Sequence, residues 1–288
     1  MDDLFDAYNI LVGSNLEMRT FDAIPQLLDE MEAIAAETQK PVMFGMLYVS
    51  LSYYTDFMGD AESALGYAQQ ALAAFQELED TYYEAIVLDG IARRLFSLKR
   101  PDEAAGALQK AYALAAQNQQ TLTMAFAQKG LASYYQNKGM LAEAEQAAHI
   151  CRRLFTEVNE QRNLVEVDYI EALIAYAREQ WREMTRFMIA SLNRARDQHI
   201  AAYLLNNVVY LPILQWQRGE QAKAVALVQF LRAHEKLDEK QTAVLAKVEA
   251  LTSNIDPKMK QAADVLAATM SLESIVDNFL REGLSWFA

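Results

Sequence analysis

Apolar and polar positions along this chain recur at an interval of 40. Gly59-Asp60-Ala61-Glu62-Ser63-Ala64 aligns with Lys99-Arg100-Pro101-Asp102-Glu103-Ala104, with Gly139-Met140-Leu141-Ala142-Glu143-Ala144 and with Gly219-Glu220-Gln221-Ala222-Lys223-Ala224; weaker copies stand at 19–24 and 179–184. Three apolar columns follow: Ile24, Ala64, Ala104, Ala144, Met184 and Ala224; then Leu28, Ala68, Leu108, Ala148, Met188 and Val228; then Met31, Ala71, Ala111, Cys151, Ser191 and Leu231. Spacings of four and three residues put the columns on one helix face, which predicts that every copy buries that face. A second apolar helical segment precedes each one, at 44–58, 84–98, 124–138, 164–178 and 204–218. Small residues at Ser52, Ala92, Ala132 and Ala172 let the two helices of a pair approach closely, and the fifth copy of that column is Pro212. Proline removes a backbone donor, so a kink is predicted there.

A single helix pair has too little core to stand alone, whereas stacked pairs share continuous apolar surface. The pattern therefore predicts an all-α fold, a right-handed α-solenoid of about six helix pairs. The first pair uses 4–16 and 21–36, and the sixth carries the array to about Lys236. Beyond it, 240–251 reads as a helix, Asp256 before Pro257 and Ser271 read as N-caps, and Gly283 reads as a stop. The expected organisation is a solenoid over 1–240 and a C-terminal helical cap over 241–288 within the same unit. The chain ends on apolar Leu284-Ser285-Trp286-Phe287-Ala288, suited to docking on a neighbour.

Composition narrows the function classes. Hydrophobic residues make up 52% and charged residues 23%, which suits a folded helical protein. A net charge of −13 repels phosphate backbones and anionic lipid surfaces, arguing against direct nucleic-acid or membrane partners. The basic pairs Arg93-Arg94 and Arg152-Arg153 read as solvated faces. One cysteine, an acidic start at Asp2, Asp3 and Asp6, and no apolar run near ~20 residues give the reading of a cytoplasmic protein.

No catalytic or metal signature emerges from the sequence. The chain has no HExxH, paired CxxC, GxGxxG, GxSxG or GxxxxGK[ST]. His149-x-Cys151 comes nearest to a ligand pair, but Cys151 stands in a buried column and reads as packing. His199 and His234 read as solvated, and no carboxylate pair stands out from the exposed helices. The expectation is a protein without catalytic residues, metal or cofactor.

The runs Tyr53-Tyr54, Gly59-Asp60, Ala64 and Ala71-Leu72, and Tyr134-Tyr135, Gly139 and Ala144, resemble tetratricopeptide repeats. The interval exceeds the usual ~34 residues, and the proline that commonly ends the second helix is replaced by Gln76, Ala116, Thr156, Arg196 and Lys236. Such elongated repeats, and the tail Met270-Ser271-Leu272-Glu273-Ser274-Ile275-Val276, are similar to the sensor regions of STAND-type signalling ATPases and maltose-activator-like transcription regulators. The resemblance implies a concave face lined by the first helix of each pair. On it would stand Tyr53, Asp56, Phe57, Arg93, Phe96, Gln136, Asn137, Tyr169, Tyr176, Asn206 and Trp216. Aromatic rings supply contact area while amides satisfy a peptide backbone, so the expected partner is a peptide or protein. An ATPase or other effector would lie on a preceding portion not in this chain. A small-molecule or peptide-pheromone sensor and a structural oligomerisation module stay open.

Overall fold

The computed structural model describes residues 1–234, 237–252 and 255–286. Its chain divides into two compact units, Met1–Tyr134 and Tyr135–Ala288. The first unit holds α1 (Asp2–Met18), α2 (Ile24–Thr38), α3 (Pro41–Phe57), α4 (Ala61–Glu77), α5 (Thr81–Ser97), α6 (Pro101–Gln117) and most of α7 (Thr121–Lys138). The second holds α8 (Leu141–Glu157), α9 (Gln161–Ala177), α10 (Trp181–Asp197), α11 (Ala201–Val208), α12 (Leu211–Gln217), α13 (Gln221–His234), α14 (Glu239–Leu251), α15 (Pro257–Ala267) and α16 (Leu272–Glu282). Among the described residues the fold is all-α, an array of repeated helix pairs in which α3 packs on α4, α5 on α6 and α9 on α10.

The backbone halves the period visible in the sequence. A residue in the left-handed region stands at every twentieth position from 19 to 219: Gly59, Gly139 and Gly219 in three places, and Arg19, Gln39, Glu79, Lys99, Gln119, Asn159, Glu179 and His199 elsewhere. At all of these but Gln39, the amide of the next residue then bonds back to the carbonyl five positions earlier, as in Asp60 N to Thr55 O (3.0 Å), Asp80 N to Phe75 O (2.9 Å) and Arg100 N to Leu95 O (2.8 Å). This Schellman closure satisfies carbonyls that the helix end leaves open. Several of the following residues then cap the next helix: the Asp60 carboxylate accepts from Ser63 N and that of Asp80 from Tyr83 N.

All eighteen residues of the three apolar columns are buried. Cys151 lies among them, its thiol donating to the Ala148 carbonyl at 3.2 Å. Ser52, Ala92, Ala132 and Ala172 are buried too. The kink expected at Pro212 is a complete break: α11 stops at Val208, α12 begins at Leu211, and the proline occupies the first turn of α12, where its missing N–H leaves no bond unmade. No break accompanies the weak copy at Glu179, where α9 and α10 keep their full length.

Beyond the repeats, α14 packs on α12 and α13, α15 on α13, and α16 on α10 and α11. Asp256 and Ser271 are the N-caps of α15 and α16, accepting from Lys258 N (2.7 Å) and Ser274 N (3.1 Å). After Glu282 the chain turns through a short 3-10 segment at Gly283–Ser285. Trp286 folds back onto Phe279, with centroids 5.0 Å apart, and lies under the Arg218 guanidinium at 4.3 Å. Lys236, Phe287, Ala288 and the side chains of His234 and Leu284, named in the sequence analysis, lie outside the described residues.

Candidate functional site

In the first unit, α3 and α5 bring Tyr53, Asp56 and Arg93 together. Arg93 donates to the Tyr53 hydroxyl at 2.7 Å and lies 3.6 Å from the Asp89 carboxylate. Its neighbour Arg94 is only 1% exposed, stands 4.7 Å over the Tyr53 ring and reaches to 3.7 Å from Asp56. The reading of Arg93-Arg94 as a solvated pair is thus wrong for Arg94: successive residues on a helix point about 100° apart, so one guanidinium stays outside while the other enters the core. Burial pushes the Asp89 carboxyl up, with Arg93 and Lys129 opposing it; burial and the charge of Arg93 push Arg94 down. Phe57 is exposed and tilts against Phe21 with centroids 5.9 Å apart, and Phe96 is half-buried on α5.

The second unit gathers more of the expected residues. Tyr169 and Tyr176 of α9 meet Tyr210, at 6.4 and 5.2 Å between centroids, and Tyr169 also meets Tyr203 at 5.8 Å. Burial raises all three hydroxyls: Tyr169 is pushed up to about 12, and Tyr203 and Tyr210 higher, Tyr203 further by the Glu166 carboxylate. Helix α14 crosses this face. Lys240 donates to Asn137 Oδ1 (2.6 Å), Gln241 to Asn206 Oδ1 (2.9 Å), and Lys247 to the Tyr176 hydroxyl (3.1 Å). Gln136 is half-buried at the end of α7, and Trp216 packs against the hydrophobic core of this unit.

Several participants escaped the sequence reading. Tyr203 and Tyr210 sit seven residues apart on the inward side of the broken helix, a spacing available to inspection. Lys240, Gln241 and Lys247 lie on the helix that follows the expected repeats, and only the path of the chain brings them to Asn137, Asn206 and Tyr176. A carboxylate pair also stands out after all. Asp168 and Glu171 of α9 are buried; Arg152 donates to Asp168 (2.6 Å) and to Glu171, while Arg194 donates to Asp168 (2.9 Å) and to Gln161. Arg152 is therefore not part of a solvated face. Burial pushes both carboxyls up and the arginines pull them back; two cations against two anions make this a neutral structural cluster.

A cleft of about 170 Å³ between α8, α9 and α10 is lined by Glu145, His149, Arg178, Glu183 and Phe187 among others. Its charged groups are bonded to one another, Arg178 to Glu145 at 2.9 Å and Arg186 to Glu183. Among the described residues, no three His, Cys, Asp or Glu side chains are placed to hold a metal ion, and no helix is long and apolar enough to cross a membrane.

No protein-family model matches the chain, and no curated protein is similar to it in sequence. In fold, the chain is similar to the crystal structure of the apo form of RapI, with a TM-score of 0.60 and 11% identity over 98% of this chain and 97% of that one.

Proposed function

We propose that this protein is a non-catalytic binding scaffold that takes an extended peptide, or a peptide segment of a protein, on the first-helix face. The observation that carries the reading is the tyrosine and amide surface of the second unit. Tyr169, Tyr176 and Tyr210 form one aromatic patch, and Asn137 and Asn206 flank it. The oxygen of each amide is engaged by α14, while neither Nδ2 has a protein acceptor among the described residues. Those groups are donors for peptide carbonyls, and the rings offer rigid apolar area at small entropic cost. Tyr53, Phe57 and Arg93 give the first unit a smaller surface of the same kind. Such a scaffold serves as the sensor portion of a larger signalling protein, in which peptide binding changes the state of an attached effector.

The test is selection of random phage-displayed peptides on the full chain, followed by titration against Asn137→Ala, Tyr176→Ala and Asn206→Ala, with helicity checked by circular dichroism. Binding of the selected peptides is expected to weaken about tenfold or more in each variant, or ~1.4 kcal/mol. Peptides that bind the three variants as tightly as the parent would remove this face from consideration.

A further inference from the structure

Helix α14 changes what the tyrosine and amide face of the second unit can bond. Its Lys240 donates to Asn137 Oδ1 (2.6 Å), its Gln241 to Asn206 Oδ1 (2.9 Å) and its Lys247 to the Tyr176 hydroxyl (3.1 Å). Each contact consumes an acceptor of the face and leaves its donors. Both Nδ2 groups stay unengaged by protein, and the Tyr176 hydroxyl keeps its own proton to give. An ammonium carries three N–H groups, so Lys240 and Lys247 each retain two. These lysines stand seven residues apart, hence on one side of α14 and about 10 Å apart along it. Both are exposed, and neither has a carboxylate partner among the described residues. Elsewhere in this unit Arg152, Arg178, Arg186, Arg194 and Arg232 each hold a carboxylate. The anions nearest the tyrosines are committed as well: Asp238 accepts from Gln241 N at 2.8 Å, and Glu166 accepts from the Tyr203 hydroxyl.

We propose that this face selects peptides carrying two acidic side chains about three residues apart, one carboxylate for Lys240 and one for Lys247, with backbone carbonyls on the two amides. The spacing follows from the reach of an extended chain, ~3.3–3.6 Å per residue, across the ~10 Å between the lysines. The inference rests on the peptide-binding reading above and adds the charge of the ligand to it. A carboxylate is the strongest acceptor that a peptide offers to a surface of donors. The choice runs against the average field, because a net charge of −13 attracts cationic peptides at long range. An acidic preference therefore has to come from the local donors.

The experiment reads the composition of the peptides that phage selection recovers on the full chain. Asp and Glu are expected to be enriched over the unselected library, in pairs about three residues apart. The tightest binder, synthesised with an amidated carboxyl end so that side chains alone carry the charge, is then titrated beside its Asn and Gln isostere. The acidic form should bind about tenfold tighter. That ratio should fall about three- to fivefold in Lys240→Gln and in Lys247→Gln, with helicity unchanged by circular dichroism. Lys260→Gln, which removes the same charge from an exposed position on α15, should leave the ratio as it is. A pool enriched in Lys and Arg, a pool of neutral composition, or an isostere that binds equally well overturns the inference and leaves the peptide-binding reading standing. A ratio lowered as much by Lys260→Gln as by Lys247→Gln would trace the preference to net charge and overturns it too. Recovery of no binding peptide removes both.

Discussion

Arg94 shows how far a single side chain can depart from its residue type. Its Nη1 donates to the Gly90 carbonyl at 2.9 Å, while Nε and Nη2 have no hydrogen-bond partner and the Asp56 carboxylate stands 3.7 Å away. A buried charge with incomplete bonding contributes little net stability, yet stripping away its nearest anion makes matters worse. Arg94→Met is therefore expected to change stability by no more than ~1 kcal/mol in either direction. Asp56→Ala should cost about 1–3 kcal/mol, because the guanidinium stays buried without its counter-ion. Urea denaturation of the two variants checks the order; a larger loss in Arg94→Met would mean that the guanidinium is better satisfied than its geometry indicates. Neither arginine of the 93–94 pair is distinguishable by type, and their different fates follow from the 100° step between helical neighbours.

At the scale of the element, the interhelical turn is the unit that repeats most faithfully. Glycine at 59, 139 and 219 made every second such turn of the pairs legible, because glycine enters the left-handed region without a Cβ clash. The turns at Glu79, Lys99 and Gln119 adopt the same backbone with ordinary residues, and nothing in their side chains announces it. These positions carry strain of about 1 kcal/mol each. Lys99→Gly and Glu79→Gly are expected to stabilise the protein by ~0.5–1 kcal/mol, after the added freedom of the unfolded chain is counted. Gly139→Ala should do the reverse by a similar amount. Thermal melts of the three variants test the prediction, and destabilisation by Lys99→Gly would show that the lysine relieves its own strain through a contact.

For the whole molecule, the alkaline limit of stability lies in the tyrosine cluster of the second unit. Tyr169, Tyr203 and Tyr210 have hydroxyls raised by burial above the ordinary ~10. A group whose ionisation is delayed in the folded state stabilises fully below its unfolded value, and that contribution is lost as pH rises above it. Stability should hence fall from about pH 10 upward, through the value of about 12 for Tyr169. Phenolate absorbance should show these tyrosines, among the 14 in the chain, ionising only as helicity is lost. A single titration near pH 10 with helicity intact would mean that water reaches the cluster freely. The periodic sequence by itself determined the helix pairs, the buried columns, the place of an irregularity at Pro212 and the core placement of Cys151, since these follow from spacing and from local backbone chemistry. Only the tertiary structure decided that α14 crosses the tyrosines, that Arg152 joins Asp168 and Glu171, and that α1 presents Leu11 outward. Those outcomes depend on which residues far apart in the chain meet and on which side of a helix stays uncovered, and neither is encoded in the period.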